Sequence, residues 1–235
     1  NITDVLIVLP ELFNTGYTFI SKSEVRKFAE SASGPTADLL THLCKKNSLA
    51  IVGGFAEIDR GHLYNSAMFV TKNGVQGVYR KAHLFLYEKR YFDKGNTLFK
   101  PFNYQGTKIG MLVCFDWIYP EAMRTLALNG AEIVCHCANL VMPFCQSAMI
   151  TRSIENRVYI ITANRTGREE RGRFQFNFTG QSQIVAPGGR LLLRAPARGE
   201  MVKVFDIDPN LAKNKKVNPL NDLFRDHRPE LYRVC

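Results

Sequence analysis

Two hydrophobic periods alternate through the middle of this 235-residue chain, and that alternation limits the possible folds more than any other feature. Residues 107–114 form a short apolar run that predicts a strand. Pro120 then suits the first turn of a helix running to Leu128 and closing at Asn129-Gly130. Residues 132–138 predict a second strand, 146–157 a second helix and 158–163 a third strand. Strand–helix–strand repetition predicts parallel pairing with helical crossovers, in a fold of mixed α/β class.

The flanks extend this pattern. Val5-Leu6-Ile7-Val8-Leu9 is wholly apolar, ends at Pro10 and reads as a buried strand. Residues 35–46 predict a helix with Leu39, Leu40 and Leu43 on one face. Residues 49–58 read as a strand interrupted at Gly53-Gly54. Residues 65–71 and 77–81 predict a hairpin around Lys72-Asn73-Gly74. In the tail, residues 181–186, 190–194 and 201–207 read as strands, with turns at Pro187-Gly188-Gly189 and Pro196. No repeat, low-complexity stretch or Pro/Ser-rich linker divides the chain, so one domain spanning residues 1–235 is expected.

Composition narrows the partners. At 46% hydrophobic and 22% charged, the chain is neither a disordered tail nor a collagen-like fibre. No apolar run reaches the ~18 residues of a membrane span, so no membrane partner is expected. The net charge is +10, but the basic clusters (45–46, 165–173 and 213–216) are short and scattered. None alternates with aromatics, so a basic surface without a nucleic-acid partner is expected. The six cysteines lack the spacing of a secreted disulfide scaffold, and Asn1-Ile2-Thr3-Asp4 is too polar for a signal peptide. Free thiols in the cytoplasm are the expectation.

Cys114 carries the strongest chemical signal. It closes the apolar run 109–113 and precedes a helix by one short bend. Such an elbow presents a side chain at the carboxyl end of a sheet, where α/β folds place their sites. Backbone N–H groups at the bend would stabilise a thiolate and an oxyanion. A buried structural cysteine is the alternative. Cys135-His136-Cys137 lies on a strand, with the two cysteines on one face and His136 on the other. With no second ligand pair, that run is expected to pack the core, with no metal bound. Glu11, Lys81 and Glu88 stand at or near strand ends, where a buried charge is costly unless used or paired; surface ion pairs would also account for them. Among the five histidines, His83 is the nearest to a partner for Cys114.

These residues resemble ordered motifs of the nitrilase superfamily, the carbon–nitrogen hydrolases. Pro10-Glu11 looks like the first motif, and Tyr79-Arg80-Lys81-Ala82-His83-Leu84-Phe85 the second. Val113-Cys114-Phe115-Asp116-Trp117-Ile118-Tyr119-Pro120-Glu121, with Arg124, looks like the third. Arg152 to Arg157, Ala163-Asn164 and Phe178 to Gly188 agree with later stretches, so the resemblance runs from about residue 5 onward. It implies a four-layer α-β-β-α sandwich, a Glu11–Lys81–Cys114 triad, a second glutamate best matched by Glu88, and a homodimer or higher homo-oligomer. The family fold begins with a strand and a helix before the Pro-Glu motif. Only nine residues precede Pro10 here, so those elements are expected to be absent and the domain N-terminally incomplete.

Residue chemistry and resemblance converge on hydrolysis of a small amide or N-carbamoyl compound through a cysteine thioester. Cys114 would attack, Glu11 would move the protons, and Lys81 with the Phe115 N–H would hold the oxyanion. Glu88 would orient Lys81 or the water. Neither metal nor organic cofactor is called for. Nitrile hydrolysis, a Cys114–His83 thiol hydrolase and an inert binding protein of the same fold are the alternatives. The substrate wall is expected from Phe115, Trp117, Asn139, Leu140 and Val141, with Tyr17 and Phe85 beside them. That list lacks an arginine clamp for a dicarboxylate, although Arg165 and Arg173 could supply one from a flexible loop.

Overall fold

The computed structural model describes residues 5–232. The amino-terminal Asn1-Ile2-Thr3-Asp4 and Cys235 lie outside the described residues. In chain order the elements are β1 (Val5–Val8), α1 (Lys22–Phe28), α2 (Pro35–Asn47), β2 (Leu49–Asp59), β3 (His62–Thr71), β4 (Gly74–Arg80) and α3 (Glu88–Tyr91). They continue with β5 (Phe102–Tyr104), β6 (Thr107–Val113), α4 (Pro120–Leu128), β7 (Ile133–Ala138), α5 (Cys145–Asn156), β8 (Tyr159–Asn164), β9 (Thr166–Arg171), β10 (Phe174–Thr179), β11 (Gln183–Ala186) and β12 (Arg190–Arg194).

Two sheets stack face to face. One has the order β1-β2-β3-β4, the other β12-β11-β8-β7-β6-β5. β2 and β3 pack on β7 and β6, while α2 covers the outer face of the first sheet and α4 and α5 the outer face of the second. The result is the α-β-β-α layering expected for the chain. Strands in the middle of such a stack are covered on both faces, so they need continuous apolar sequence rather than alternation. β7 meets this demand at every position but His136, and Ile133–Ala138 is buried throughout. β6, β7 and β8 are parallel, joined by α4 and α5 as the alternating periods predict.

Local chemistry sets the element ends. Pro120 and Pro35 occupy first-turn positions of α4 and α2, where a missing N–H costs nothing. Ser48, at φ +52°, ends α2 in the left-handed region. The Ser21 side chain caps α1 by accepting from the Glu24 N–H at 3.1 Å. That Ser-x-x-Glu signal was open to a sequence reading, but Val25 is the one buried residue of the helix, so no apolar face advertised it.

Three expectations need correction. Residues 201–207 read as a strand; in the structure they run without regular secondary structure, with Val202 almost fully exposed. Alternation alone does not make a strand when no neighbour offers a ladder. Residues 165–173 form no flexible loop: β9 and β10 pair antiparallel from Thr166↔Thr179 to Arg171↔Phe174. The arginine cluster hid the period-two phenylalanines 174, 176 and 178. Gly53-Gly54 does not interrupt β2, which continues through Asp59.

The glycine pair instead makes room for the chain that follows β1. A Cβ on Gly54 would lie 2.6 Å from Glu11 Cα and 2.8 Å from Leu12 N. One on Gly53 would meet only the side chains of Phe13 and Leu9, at 3.0 Å or more. Gly54→Ala should therefore destabilise the chain by about 1–3 kcal/mol, roughly 3–10 °C in melting temperature. Gly53→Ala should cost less, and thermal melts of the two variants side by side check the order.

Candidate active site

Three strands deliver the site from their carboxyl ends. β1 is parallel to β2, and β2, β3 and β4 are successively antiparallel, so β1 and β4 point the same way. Glu11 follows β1, Lys81 follows β4 and Cys114 follows β6. Lys81 is pinned by its backbone, whose N–H donates to the Asn65 carbonyl at 2.8 Å and whose carbonyl accepts from Gly95 N–H at 3.0 Å.

All three side chains are buried, and Glu88 joins them from the first turn of α3. Lys81 Nζ donates to Glu11 Oε1 at 2.7 Å and to Glu88 Oε1 at 2.8 Å. Glu11 Oε1 also accepts from Asn65 Nδ2 at 2.7 Å. Glu11 Oε2, though buried, has no hydrogen-bond partner among the described residues. Tyr17 Oη donates to Glu88 Oε1 at 2.8 Å, and the Phe85 N–H donates to Glu88 Oε2 at 3.1 Å.

The electrostatics follow from this packing. Burial alone would lower the Lys81 pKa, but the Glu11 and Glu88 carboxylates raise it above its ordinary value, so it stays an ammonium. Burial, with the Glu11 charge adding to it, lifts Glu88 from 4.5 to about 6 against the pull of Lys81. Cys114 is pushed well above the ordinary thiol range, by burial first and by the Glu11 carboxylate second. Lys81 and a hydrogen bond from the Asn139 backbone N–H oppose that rise without cancelling it. The resting group is thus a thiol, whereas the elbow position had suggested a stabilised thiolate. Two carboxylates beside one ammonium leave the surroundings negative, and a second negative charge on sulfur is disfavoured.

The elbow itself is strained. β6 ends at Val113, and Cys114 opens a short 3-10 helix, Cys114–Ile118, with φ +43°. A non-glycine residue in this region costs about 1–2 kcal/mol. Asp116, fully buried, ties the turn by accepting from the Val113 N–H at 3.0 Å and from Tyr79 Oη at 2.8 Å. Its other oxygen takes His83 Nδ1 at 2.7 Å, and the His83 ring stacks on Tyr119. His83 is therefore engaged with Asp116 rather than with Cys114. Cys44, Cys135, Cys137 and Cys145 are free and buried in the core.

The remaining expected residues divide. Tyr17 lies over the site, close enough for Glu88, Glu11 and Cys114 all to raise its pKa behind the larger effect of burial. Phe85 and Phe115 are half-buried and pack on each other, ring centroids 5.0 Å apart. Asn139 Nδ2 donates to the Glu11 carbonyl at 2.8 Å, so this side chain braces the loop bearing the carboxylate. Leu140 is buried, and Val141 packs partly against the cluster that contains Tyr17. Trp117 packs into the core between sheet and helix layer. Arg165 is ion-paired, whereas Arg173 is exposed between β9 and β10. Arg165 Nη1 donates to Glu169 Oε2 at 2.6 Å and lies over Phe178, and Arg173 lies over Phe174.

Asn65 and Glu169 were not legible as site residues. Asn65 interrupts the apolar β3 strand, and a buried amide there demands a partner. Glu169 Oε2 accepts from the Tyr17 N–H at 3.0 Å and the Thr18 N–H at 3.2 Å, fastening the β9–β10 hairpin to the loop that carries Tyr17.

Residues 4–216 match the family model for carbon–nitrogen hydrolases. The chain belongs to that family. A nitrilase of Pyrococcus abyssi is 46% identical over 97% of this chain and 86% of its own length. An (R)-stereoselective amidase of a Pseudomonas species is 33% identical over 95% and 79%. Among solved structures, a carbon–nitrogen hydrolase of Helicobacter pylori G27 superposes with a TM-score of 0.85, at 27% identity, covering 97% of this chain and 85% of its own. As a carbon–nitrogen hydrolase the chain is an enzyme of the thiol-dependent kind.

Glu88 gives a pH test of the buried cluster. Its proton is held more tightly in the folded chain, at about 6, than at the ordinary 4.5. Stability arising from this group is therefore present below 4.5 and lost as the pH rises through about 6. The melting temperature of Glu88→Gln relative to the parent should rise between these two values and then level off. A flat or falling difference would contradict the burial effect.

Proposed function

We propose that the protein hydrolyses a small amide or N-carbamoyl compound through a thioester on Cys114. The observation that carries this reading is the division of labour at Glu11. Oε1 is saturated by Lys81 and Asn65, which leaves Oε2 as a buried acceptor beside a protonated thiol. Glu11 would take the thiol proton as sulfur attacks the amide carbon. The oxyanion would be held by Lys81 Nζ and the Phe115 N–H. Collapse breaks the C–N bond, Glu11 returns its proton to the leaving ammonia or amine, and a thioester remains. Water, deprotonated by Glu11, then releases the acid, and the proton returns to sulfur. Glu88 and Tyr17 would keep the ammonium aimed.

A raised thiol pKa favours this concerted route over a preformed thiolate. Cys114→Ala should abolish ammonia release while the fold survives, and Cys135→Ala should keep most activity. Lys81→Gln should cost at least about 10²-fold in kcat through the lost oxyanion contact. Equal loss in the two cysteine variants would undo the assignment.

Nitrile hydrolysis by the same residues is the second reading, favoured by the nitrilase relative. A screen of amides, carbamoyl compounds and nitriles for ammonia release separates them. With Arg165 ion-paired to Glu169, short aliphatic monoamides should be turned over faster than dicarboxylate half-amides. A preference for half-amides that disappears in Arg165→Ala or Arg173→Ala would reverse that order.

We read the working form as a homodimer or larger homo-oligomer in the cytoplasm. Val217, Leu220, Leu231 and Tyr232 of the tail are exposed, while Phe224 packs on the chain's own core. The described cysteines are free, in keeping with a reducing compartment. A monomer mass by light scattering at micromolar concentration would contradict the assembly.

A further inference from the structure

The side chain that the Cys-His-Cys run places opposite its cysteines is not idle packing. His136 Nε2 lies 2.9 Å from the carbonyl oxygen of Cys114, and its Nδ1 lies 3.3 Å from the Thr162 hydroxyl. Parallel pairing sets the row, with Leu112 opposite His136 and His136 opposite Thr162. A carbonyl oxygen only accepts, so Nε2 carries the proton. Burial pushes the His136 pKa down to about 4, against the raising effect of the Cys114 bond, so the ring is neutral and Nδ1 accepts from Thr162 Oγ1.

That carbonyl belongs to the same peptide unit as the Phe115 N–H. A trans peptide is planar, with its C=O and N–H pointing in opposite directions. Fixing the oxygen therefore fixes the direction of the N–H. The unit follows a residue held at φ +43°, a sparsely populated conformation that the surrounding contacts must maintain. Phe115 is also in the first turn of the 3-10 helix, where N–H groups have no intrahelical acceptor. A hydrogen bond into the carbonyl polarises the amide and strengthens its N–H as a donor.

We propose that His136 is a positioning residue that locks the Cys114–Phe115 peptide so that its N–H faces the developing oxyanion, with Thr162 selecting the ring tautomer. This rests on the reading of Cys114 as nucleophile and the Phe115 N–H as oxyanion donor. His136 touches no reacting atom; it acts through the backbone.

The test compares two reactions of the same sulfur. Hydrolysis of propionamide, or of the best amide from the ammonia-release screen, passes through an oxyanion. Alkylation by iodoacetamide displaces iodide at a saturated carbon and forms none. In His136→Leu, kcat should fall about 10²-fold while KM and the rate of Cys114 alkylation stay within about 3-fold. His136→Gln, whose amide nitrogen can still donate to the carbonyl, should recover at least about ten-fold of that loss. Alkylation falling in parallel with kcat, or a Gln variant as poor as Leu, would overturn the proposal. Should the Leu variant not fold, Thr162→Val decides: kcat should fall about 3–10-fold with alkylation unchanged, and an unaltered kcat rejects the role. Turnover that survives Cys114→Ala in the parent background would instead fail the underlying reading, and this proposal with it.

Discussion

One ammonium buried between two carboxylates governs the centre of this molecule. Lys81 Nζ bridges Glu11 and Glu88 at 2.7 and 2.8 Å with its side chain wholly shielded from solvent. Three charges out of water are tolerable only with close contact and further hydrogen bonds. Asn65, Tyr17 and the Phe85 N–H supply them. Glu11 Oε2, by contrast, has no hydrogen-bond partner among the described residues. Burial first, and the Glu11 carboxylate second, keep the neighbouring Cys114 thiol protonated.

The cluster depends on where three strands end, and the elbow depends on what surrounds it. Cys114 sits in a left-handed conformation held from two sides, by Asp116 at the Val113 N–H and by His136 at its own carbonyl. Asp116 is shared with Tyr79 and His83, so the β4 strand and the chain that follows it are bonded to the turn they face. A second fastening closes the site from outside. The β9–β10 hairpin reaches the Tyr17 loop through Glu169, and Tyr17 reaches Glu88, so a surface hairpin is linked by two side chains to the buried ammonium. Gly16 makes this approach possible, since a Cβ there would lie 2.5 Å from the Glu169 carboxylate.

Residue order alone predicted a mixed α/β chain with parallel strands within residues 107–163 and their crossover helices, whereas the layered sandwich and the grouping of Glu11, Lys81, Cys114 and Glu88 came from the resemblance to the carbon–nitrogen hydrolases. Strong periodicity and prolines at helix starts are local properties, so they are readable without a fold. The hairpin of residues 166–179 shows the limit, because interspersed arginines masked a regular alternation of phenylalanines. Residues 201–207 show the converse: their alternation is real, but a strand exists only if another strand lies beside it.

Only the tertiary structure decided the partners of each polar group. Asn65 and Glu11 are far apart in sequence, as are Glu169 and Tyr17, and nothing in a local pattern encodes such pairings. His83 was the histidine nearest the chemistry in sequence, yet it bonds to Asp116, while His136, read as core packing, meets the Cys114 carbonyl. The protonation of Cys114 belongs to the same class. A helix-start elbow by itself favours a thiolate, but burial beside the Glu11 carboxylate overrides that preference. Charge state in a closed site is set by desolvation and by neighbours brought from distant strands, and both exist only once the chain has folded.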